Sequence, residues 1–308
     1  MKVRLTNKLM FLTVMLLTVG ISNAQISIVP SNGGGNYGTQ QNSKIITVGN
    51  VSFKMIYVQG GTFQMGCKPE DNDVVKDLKN FWNNLPDSEK RERQTSYQDK
   101  LQEAQKRANY EKNHKVTLGS YYIGETEVTQ ALWKAVMGNN PSEYQYREPD
   151  KGPVESVSWD DCQEFIKKLN QMTGRKIRLP TESEWKFAAR GGIKSMGYRC
   201  SGSNDYMQVG WFDEALMGGS THTVKGKKCN ELGIYDMSGN VSEWCNDWLD
   251  KDYYSNSPEN NPQGPASGEA KCARGGAFCV RNYYVYGRNG YIKSSHHENI
   301  GLRLVLCE

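Results

Sequence analysis

Histidine is scarce in this chain, four in 308 residues, and none of its eight cysteines stands in a CxxC pair. A structural zinc centre draws on close Cys/Cys or Cys/His spacing, so one is disfavoured here. A charge of one sign is missing too. The 38 basic and 34 acidic side chains give +4, but three of the basic ones, Lys2, Arg4 and Lys8, lie in the first 24 residues, where there is no acid. Without them the excess falls to about +1, and so even a field steers no polyanion. Nucleic acid is therefore not an expected partner. Long apolar runs are absent as well. The run Leu9 to Ile21 falls short of the roughly 20 residues that cross a bilayer, and nothing after it is apolar enough to span one. Leucine and isoleucine are sparse, and mean hydropathy is -0.70. With 17 Tyr, 7 Trp and 31 Gly, the core must lean on aromatics and the backbone on irregular loops. That composition suits a loop-rich α+β fold better than a helical bundle or a doubly wound sheet.

What is present begins with a leader. A positive start, the apolar run, and the small residues Ser22 and Ala24 give the layout of a signal peptide over residues 1–24, cleaved after Ala24. The protein is thus expected to be exported, to the periplasm, cell surface or medium. All eight cysteines (Cys67, Cys162, Cys200, Cys229, Cys245, Cys272, Cys279 and Cys307) follow the leader. An even count in an exported protein permits disulfides, and free thiols fit the same residues.

Residues 25–50 are polar and rich in Gly, Ser and Asn, which reads as a flexible linker. Phe53, Met55 and Tyr57 then alternate up to Gly60-Gly61, followed by Phe63 and Met65, a hairpin signal. Residues 68–113 form a charged insertion in which Asp87 or Ser88 caps a helix running to about Lys112, with Phe81, Trp82 and Leu85 as anchors. Val116 to Ile123 alternates as a strand. Thr129 and Ser158 each cap a helix, and Thr181 with Glu184 forms a capping box for a third. Short strands are expected at Ala273–Phe278 and Leu302–Leu306.

Seven blocks in order carry a resemblance. They are MIYVQGGTFQMG (55–66), HKVTLGSYYIGETEVTQALW (114–133), NPSEY with PVESVSWDDCQEF (140–165), RLPTESEWKFAARGG (178–192), NELGIYDMSGNVSEWCNDW (230–248), RGGAF (274–278) and IGLRLVL (300–306). Together they resemble the formylglycine-generating-enzyme, or sulfatase-modifying-factor, family. The resemblance implies one domain over residues 51–308, interrupted by the insertion at 68–113. It also implies a loop-rich variant of the C-type-lectin-like fold, with small twisted antiparallel sheets and flanking helices.

It implies chemistry as well. A calcium ion in the family is held by an Asn or Asp, two main-chain carbonyls and a Glu, roles that map onto Asp236, Gly239, Val241 and Glu243. Carboxylates and turn carbonyls packed so closely suit a hard cation. The family's aerobic enzymes oxidise a substrate cysteine with two copper-binding cysteines, a soft-metal thiolate centre. Those positions hold Val280 and Val285 here, the motif Ser is Ala277, and the Trp before the motif Glu is Ser242. Cys279 lies one residue early and has no partner five residues on, so it is a weak catalytic candidate and copper is not expected.

Residues 281–299 are rich in Tyr, Asn, Ser, His and Arg, a composition typical of binding loops. It is also similar to the variable tails of phage and bacterial receptor proteins with this lectin-like fold. Arg281, Asn282, Tyr283, Tyr284, Tyr286, Arg288, Asn289 and Tyr291 are the candidate ligand residues. Two functions are open. One is a non-catalytic lectin-like module that binds an exported protein or a glycan. The alternative is an oxidoreductase converting a cysteine of an exported sulfatase-type partner to formylglycine.

Overall fold

β-Branched residues start the domain earlier than expected. In the computed structural model, Ile46 and Val48 point inward from β1 (Ser43–Val48), which pairs antiparallel with β2 (Val51–Val58) through a turn at Gly49-Asn50. The linker expected through residue 50 therefore ends before Ser43. The structure describes residues 43–67, 72–145, 149–212, 219–279, 284–285 and 287–307. Contacts divide the chain into residues 1–40 and 41–308, and the second unit is described below. The expected leader lies outside the described residues.

The hairpin expected across Gly60-Gly61 does not form. Both edges of β2 are already taken, one by β1 and the other by β5 (Tyr121–Gly124). β3 (Gly61–Met65) pairs with β4 (His114–Leu118) in a separate two-stranded sheet. The strand expected over 116–123 is thus split at Gly119-Ser120 between two sheets. β6 (Ile177–Arg178) and β11 (Val305–Leu306) complete a five-stranded sheet in the order β1-β2-β5-β11-β6. A four-stranded sheet in the order β10-β7-β8-β9 is built from β7 (Ser242–Trp248), β8 (Lys271–Arg274), β9 (Arg288–Tyr291) and β10 (Ile300–Leu302). Its β7–β10 pair is parallel, a departure from the antiparallel sheets expected.

The insertion holds two helices. α1 (Asp73–Asn83) was not expected. Asn72 caps it by accepting from the Val74 and Val75 amides at 3.0 and 3.4 Å. Val75, Leu78 and Trp82 recur on its inner face, a helical spacing visible in the sequence. α2 (Asp87–Tyr110) is the expected charged helix. Trp82 stacks on Tyr97 with ring centroids 4.1 Å apart, tying the two helices together; Phe81 stays exposed. At the root, Gly66 has φ +92°, and a Cβ there would sit 2.4 Å from the Glu111 and Lys112 carbonyls. Only glycine lets the two ends of the insertion meet so closely.

Three capped helices flank the sheets: α3 (Gln130–Met137), α4 (Trp159–Thr173) and α5 (Glu182–Ala189). The caps are Thr129, Ser158 and Thr181 as expected, the last two in full capping boxes. α3 and α4 cover one apolar cluster, where Trp133 and Phe165 stack at 4.8 Å. α5 carries Trp185 and Phe187 into a second cluster with Val58, Ile123 and Val305. Burying an aromatic ring removes roughly 150–250 Å² from water, so these rings replace the aliphatic bulk the sequence lacks.

Candidate functional site

The chain after β8 passes through Gly275 and Gly276 into Ala277 and Phe278, both buried. The Phe278 amide donates to the Asn240 carbonyl at 2.9 Å, and its ring meets Tyr144 edge-on. Cys279 is half-buried, and its sulfur accepts from Asn299 Nδ2 at 3.2 Å. Val280 lies outside the described residues. Val285 is 2 % exposed and belongs to the second apolar cluster. Ser242, at the start of β7, is fully buried, and its hydroxyl has no partner among the described residues. Ala277, Val285 and Ser242, where the resemblance implies a hydroxyl, a thiol and an indole, thus all lie in the protein interior.

No disulfide joins the cysteines among the described residues. Cys272 lies with its sulfur 3.0 Å from Glu182 Oε1 and beside Cys245 on the neighbouring strand. It is occupied there, in the buried core, rather than in a pair with Cys279.

Asp236 to Glu243 form a tight loop into β7. Asp236 and Asn240 take positive φ of 58° and 63°. Gly239 takes φ +85°, where a Cβ would meet the Trp211 backbone within 2.8 Å. Glu243 is fully buried. Arg303 donates to it from Nε at 2.9 and 3.1 Å and from Nη2 at 2.6 Å, and Trp185 Nε1 donates at 2.6 Å. Three N–H groups, that of Arg303 Nε shared between both oxygens, thus converge on the Glu243 carboxylate, the Glu of the set Asp236, Gly239, Val241 and Glu243 expected to hold calcium. The cation beside Glu243 is internal: Arg303, itself fully buried, also donates to the Gly124 and Tyr235 carbonyls at 2.9 Å each.

Two members of this centre were not singled out from the sequence. One is Arg303, and the other is Glu127. Glu127 accepts from Asn240 Nδ2 at 3.1 Å and from the Val241 amide at 3.3 Å. Burial, then Asp236 and Glu243 nearby, hold its carboxyl well above the usual range. Burial likewise pushes Asp236 up to about 6. Asp236 Oδ2 accepts from the Lys225 amide, while Oδ1 is buried with no partner among the described residues. One signal was legible: Glu127 stands two residues before the Thr129 cap, inside a quoted block.

Arg288, one of the candidate ligand residues, belongs to a second buried ionic centre. Its guanidinium donates to both oxygens of Glu182 at 2.8 Å and stacks over Tyr254. Fully buried Arg274 lies 2.6 Å from Glu182 Oε1. Burial opposes the charge on Glu182, but Arg274 and Arg288 outweigh it and hold the carboxyl at about 2. On the same helix, burial and the neighbouring Arg274 lower Lys186 to about 7.

Tyr284 is also turned inward. It is 4 % exposed and donates its hydroxyl to Asp77 of α1, beside an Arg199–Asp77 bond of 2.6 Å. The insertion thus docks on its own domain. Arg281, Asn282, Tyr283 and Tyr286 lie outside the described residues. Asn289 and Tyr291 remain half-buried on β9, an edge of the four-stranded sheet. Beside them Ile292 is 62 % exposed. His296 is exposed and 2.7 Å from Asp161.

Comparison with known proteins bears on the family and the fold. The chain is 36% identical over 182 residues to "Chaperone protein LppX" of Paenibacillus barcinonensis, covering 43% of this chain and 64% of that protein. It is 32% identical over 178 residues to the formylglycine-generating enzyme of Streptomyces coelicolor, covering 49% of this chain and 51% of the enzyme. The chain therefore spans only about half to two-thirds of these relatives' lengths. Among solved structures it is similar to Treponema denticola variable protein 1, with a TM-score of 0.67 and 28% identity over 87% of this chain and 99% of the other. PvdO from Pseudomonas aeruginosa shares the fold, with a TM-score of 0.65 at 19% identity over the same shares. The family model of the sulfatase-modifying factor enzyme 1-like domain (FGE-sulfatase) matches residues 47–307, and the chain belongs to that family, with its α+β C-type-lectin-like fold.

Proposed function

We propose that this chain is an exported, non-catalytic member of its family, a lectin-like module that binds an exported protein or a glycan. The observation that carries the reading is the burial of Val285 and Ala277. The resemblance places a copper-binding thiol at the first position and a hydroxyl at the second. A hydrocarbon packed in the core can neither bind a soft metal nor donate a proton. Cys279 leaves one thiol where the oxidation needs two. The alternative, oxidation of a cysteine in an exported sulfatase-type partner, keeps only the family resemblance as support.

Two relatives lend colour to a binding role: one is named a chaperone and one a variable protein. The binding surface in this reading is the β9 edge, with Asn289, Tyr291 and exposed Ile292. An edge strand offers unpaired backbone groups, and Tyr and Asn add amphipathic area and adaptable hydrogen bonds. No helix among the described residues is long and apolar enough to cross a membrane.

The test compares the mature chain with an Asn289→Ala/Tyr291→Ala variant on an array of bacterial glycans and immobilised exported proteins. Ligands retained by the chain and lost by the variant are the expected result. Ligands that bind both equally would place the binding surface elsewhere.

A further inference from the structure

The fold keeps most of the cysteines apart. Cys162 lies in the first apolar cluster and Cys200 in a third. The sulfurs of Cys67, Cys279 and Cys307 accept from Asn72, Asn299 and Arg178 at 3.4, 3.2 and 3.1 Å. Cys245 and Cys272 are placed differently. They stand on adjoining antiparallel strands, β7 and β8, each one step along the ladder from the Trp244–Ala273 pair. Trp244 and Ala273 point into the first apolar cluster, whereas Cys245 and Cys272 both belong to the second. Both sulfurs therefore lie on the same face of the sheet, and both residues are fully buried.

A cross-strand bridge uses this placement. Facing residues of an antiparallel pair stand about 4.5–5.5 Å apart at Cα, inside the roughly 4.4–6.8 Å that a disulfide spans. The ladder shifts register only beyond this point, before Trp248 meets Lys271. Cys272 Sγ lies 3.0 Å from Glu182 Oε1, yet Glu182 does not depend on that thiol. Arg274 and Arg288 hold the same carboxylate at 2.6 and 2.8 Å. Between β7 and β8 the chain makes a long excursion over residues 249–270, with a short helix at Tyr253–Asn256. A bond between Cys245 and Cys272 closes that excursion at its base, which removes freedom from the unfolded chain.

We propose that Cys245 and Cys272 are a site of disulfide formation, oxidised by an external disulfide while the chain folds. The Sγ–Sγ bond forms as the S–S bond of the oxidant breaks. Two electrons pass to the oxidant, whose two sulfurs leave as thiols carrying the two cysteine protons. Oxidation precedes closure of the core, because the folded strands leave neither cysteine open to solvent. The same burial then shields the bond from reductants. The proposal rests on the export proposed above for its oxidant, and the β9 surface plays no part in it.

The test unfolds and reduces the protein in urea with dithiothreitol, then refolds it in a buffer of reduced and oxidised glutathione. That buffer supplies the oxidant directly, so the result does not depend on export. Peptide mapping by mass spectrometry with trypsin and chymotrypsin is expected to recover Cys245 joined to Cys272, with the loss of two hydrogen masses. Cys245→Ala should leave the Cys272 thiol free, and Cys272→Ala the Cys245 thiol. In the native protein the bond should survive dithiothreitol and yield once urea is added. Its reduction should lower the unfolding temperature by about 10 °C. Recovery of Cys272 as a thiol after wild-type refolding, or bridged to Cys279, would overturn the proposal. So would a bond that dithiothreitol removes from the native protein as fast as from the unfolded chain.

Discussion

Replacing Arg303 with methionine is expected to destabilise the domain by about 3–5 kcal/mol, the usual cost of stripping one partner from a buried ion pair. At this size the unfolding temperature should fall by about 10 °C. The argument rests on what stays behind. Glu243 is fully buried and would keep only its bond from Trp185. Glu127 and Asp236, both raised by burial and by Glu243, would lose the nearby cation that pulls them down. The Gly124 and Tyr235 carbonyls would lose their donors as well. Arg303→Lys should recover only part of the loss, because an ammonium cannot reproduce a five-donor planar fork. Pairing Arg303→Met with Glu243→Gln should recover more, since the stranded charge goes too. Urea unfolding of the four proteins measures this. A loss under about 1 kcal/mol in Arg303→Met would mean the pair is no more than a surface-grade contact.

The second large effect is expected from Glu182→Gln. Arg274 and Arg288 converge on this carboxylate, and both guanidinium groups are buried. Neutralising it leaves two cations facing each other across an amide, again at a cost of about 3–5 kcal/mol. This effect carries a pH signature. Glu182 is depressed to about 2 from its ordinary 4.5. The folded state thus holds fewer protons on this group than the unfolded state between those values. The stability it contributes is complete above pH 4.5 and is lost as pH falls through about 2. Wild type and variant should differ most near neutrality and converge on acidification. A gap that stays constant from pH 7 to pH 2.5 would show that the carboxylate charge is not what holds this centre.

Local signals in the sequence were legible where the chemistry is local. Thr129, Ser158 and Thr181 cap their helices because each needs only a hydroxyl and an amide within three residues. The body of α2 was visible in its charged spacing, but its cap is Pro86, without a side-chain capping bond, rather than Asp87 or Ser88, and α1 was missed despite the spacing of Val75, Leu78 and Trp82. Strand partners were not visible. Nothing near Gly60-Gly61 says that β5, some sixty residues on, takes the edge of β2 that a hairpin would have used. The ionic centres were hidden by the same distance. Glu243 and Arg303 meet across 60 residues, Glu182 and Arg288 across 106, and Tyr284 and Asp77 across 207.

Composition does not report such distant partners. A tract of Tyr, Arg and Asn reads as exposed binding surface until its distant partners are known. Tyr284 and Arg288 turned out to be interior groups that fasten the C-terminal segment to α1 and α5. The calcium expectation was local too. Asp236 and Glu243 look like ligands in a short segment, and nothing in that segment says that Arg303 enters from another block to bond the second of them. The resemblance places reactive groups at Val280, Val285, Ala277 and Ser242, and the non-catalytic reading rests on the side chains that stand there instead.

That last point is the centre of the account, and one measurement addresses it most directly. The protein, supplied with Cu(I) and oxygen, is incubated with a sulfatase-type cysteine peptide, and the peptide mass is followed. The account predicts an unchanged thiol after prolonged incubation. Conversion of the thiol to an aldehyde, abolished by Cys279→Ser, would contradict it and establish a cysteine centre arranged differently from the rest of the family.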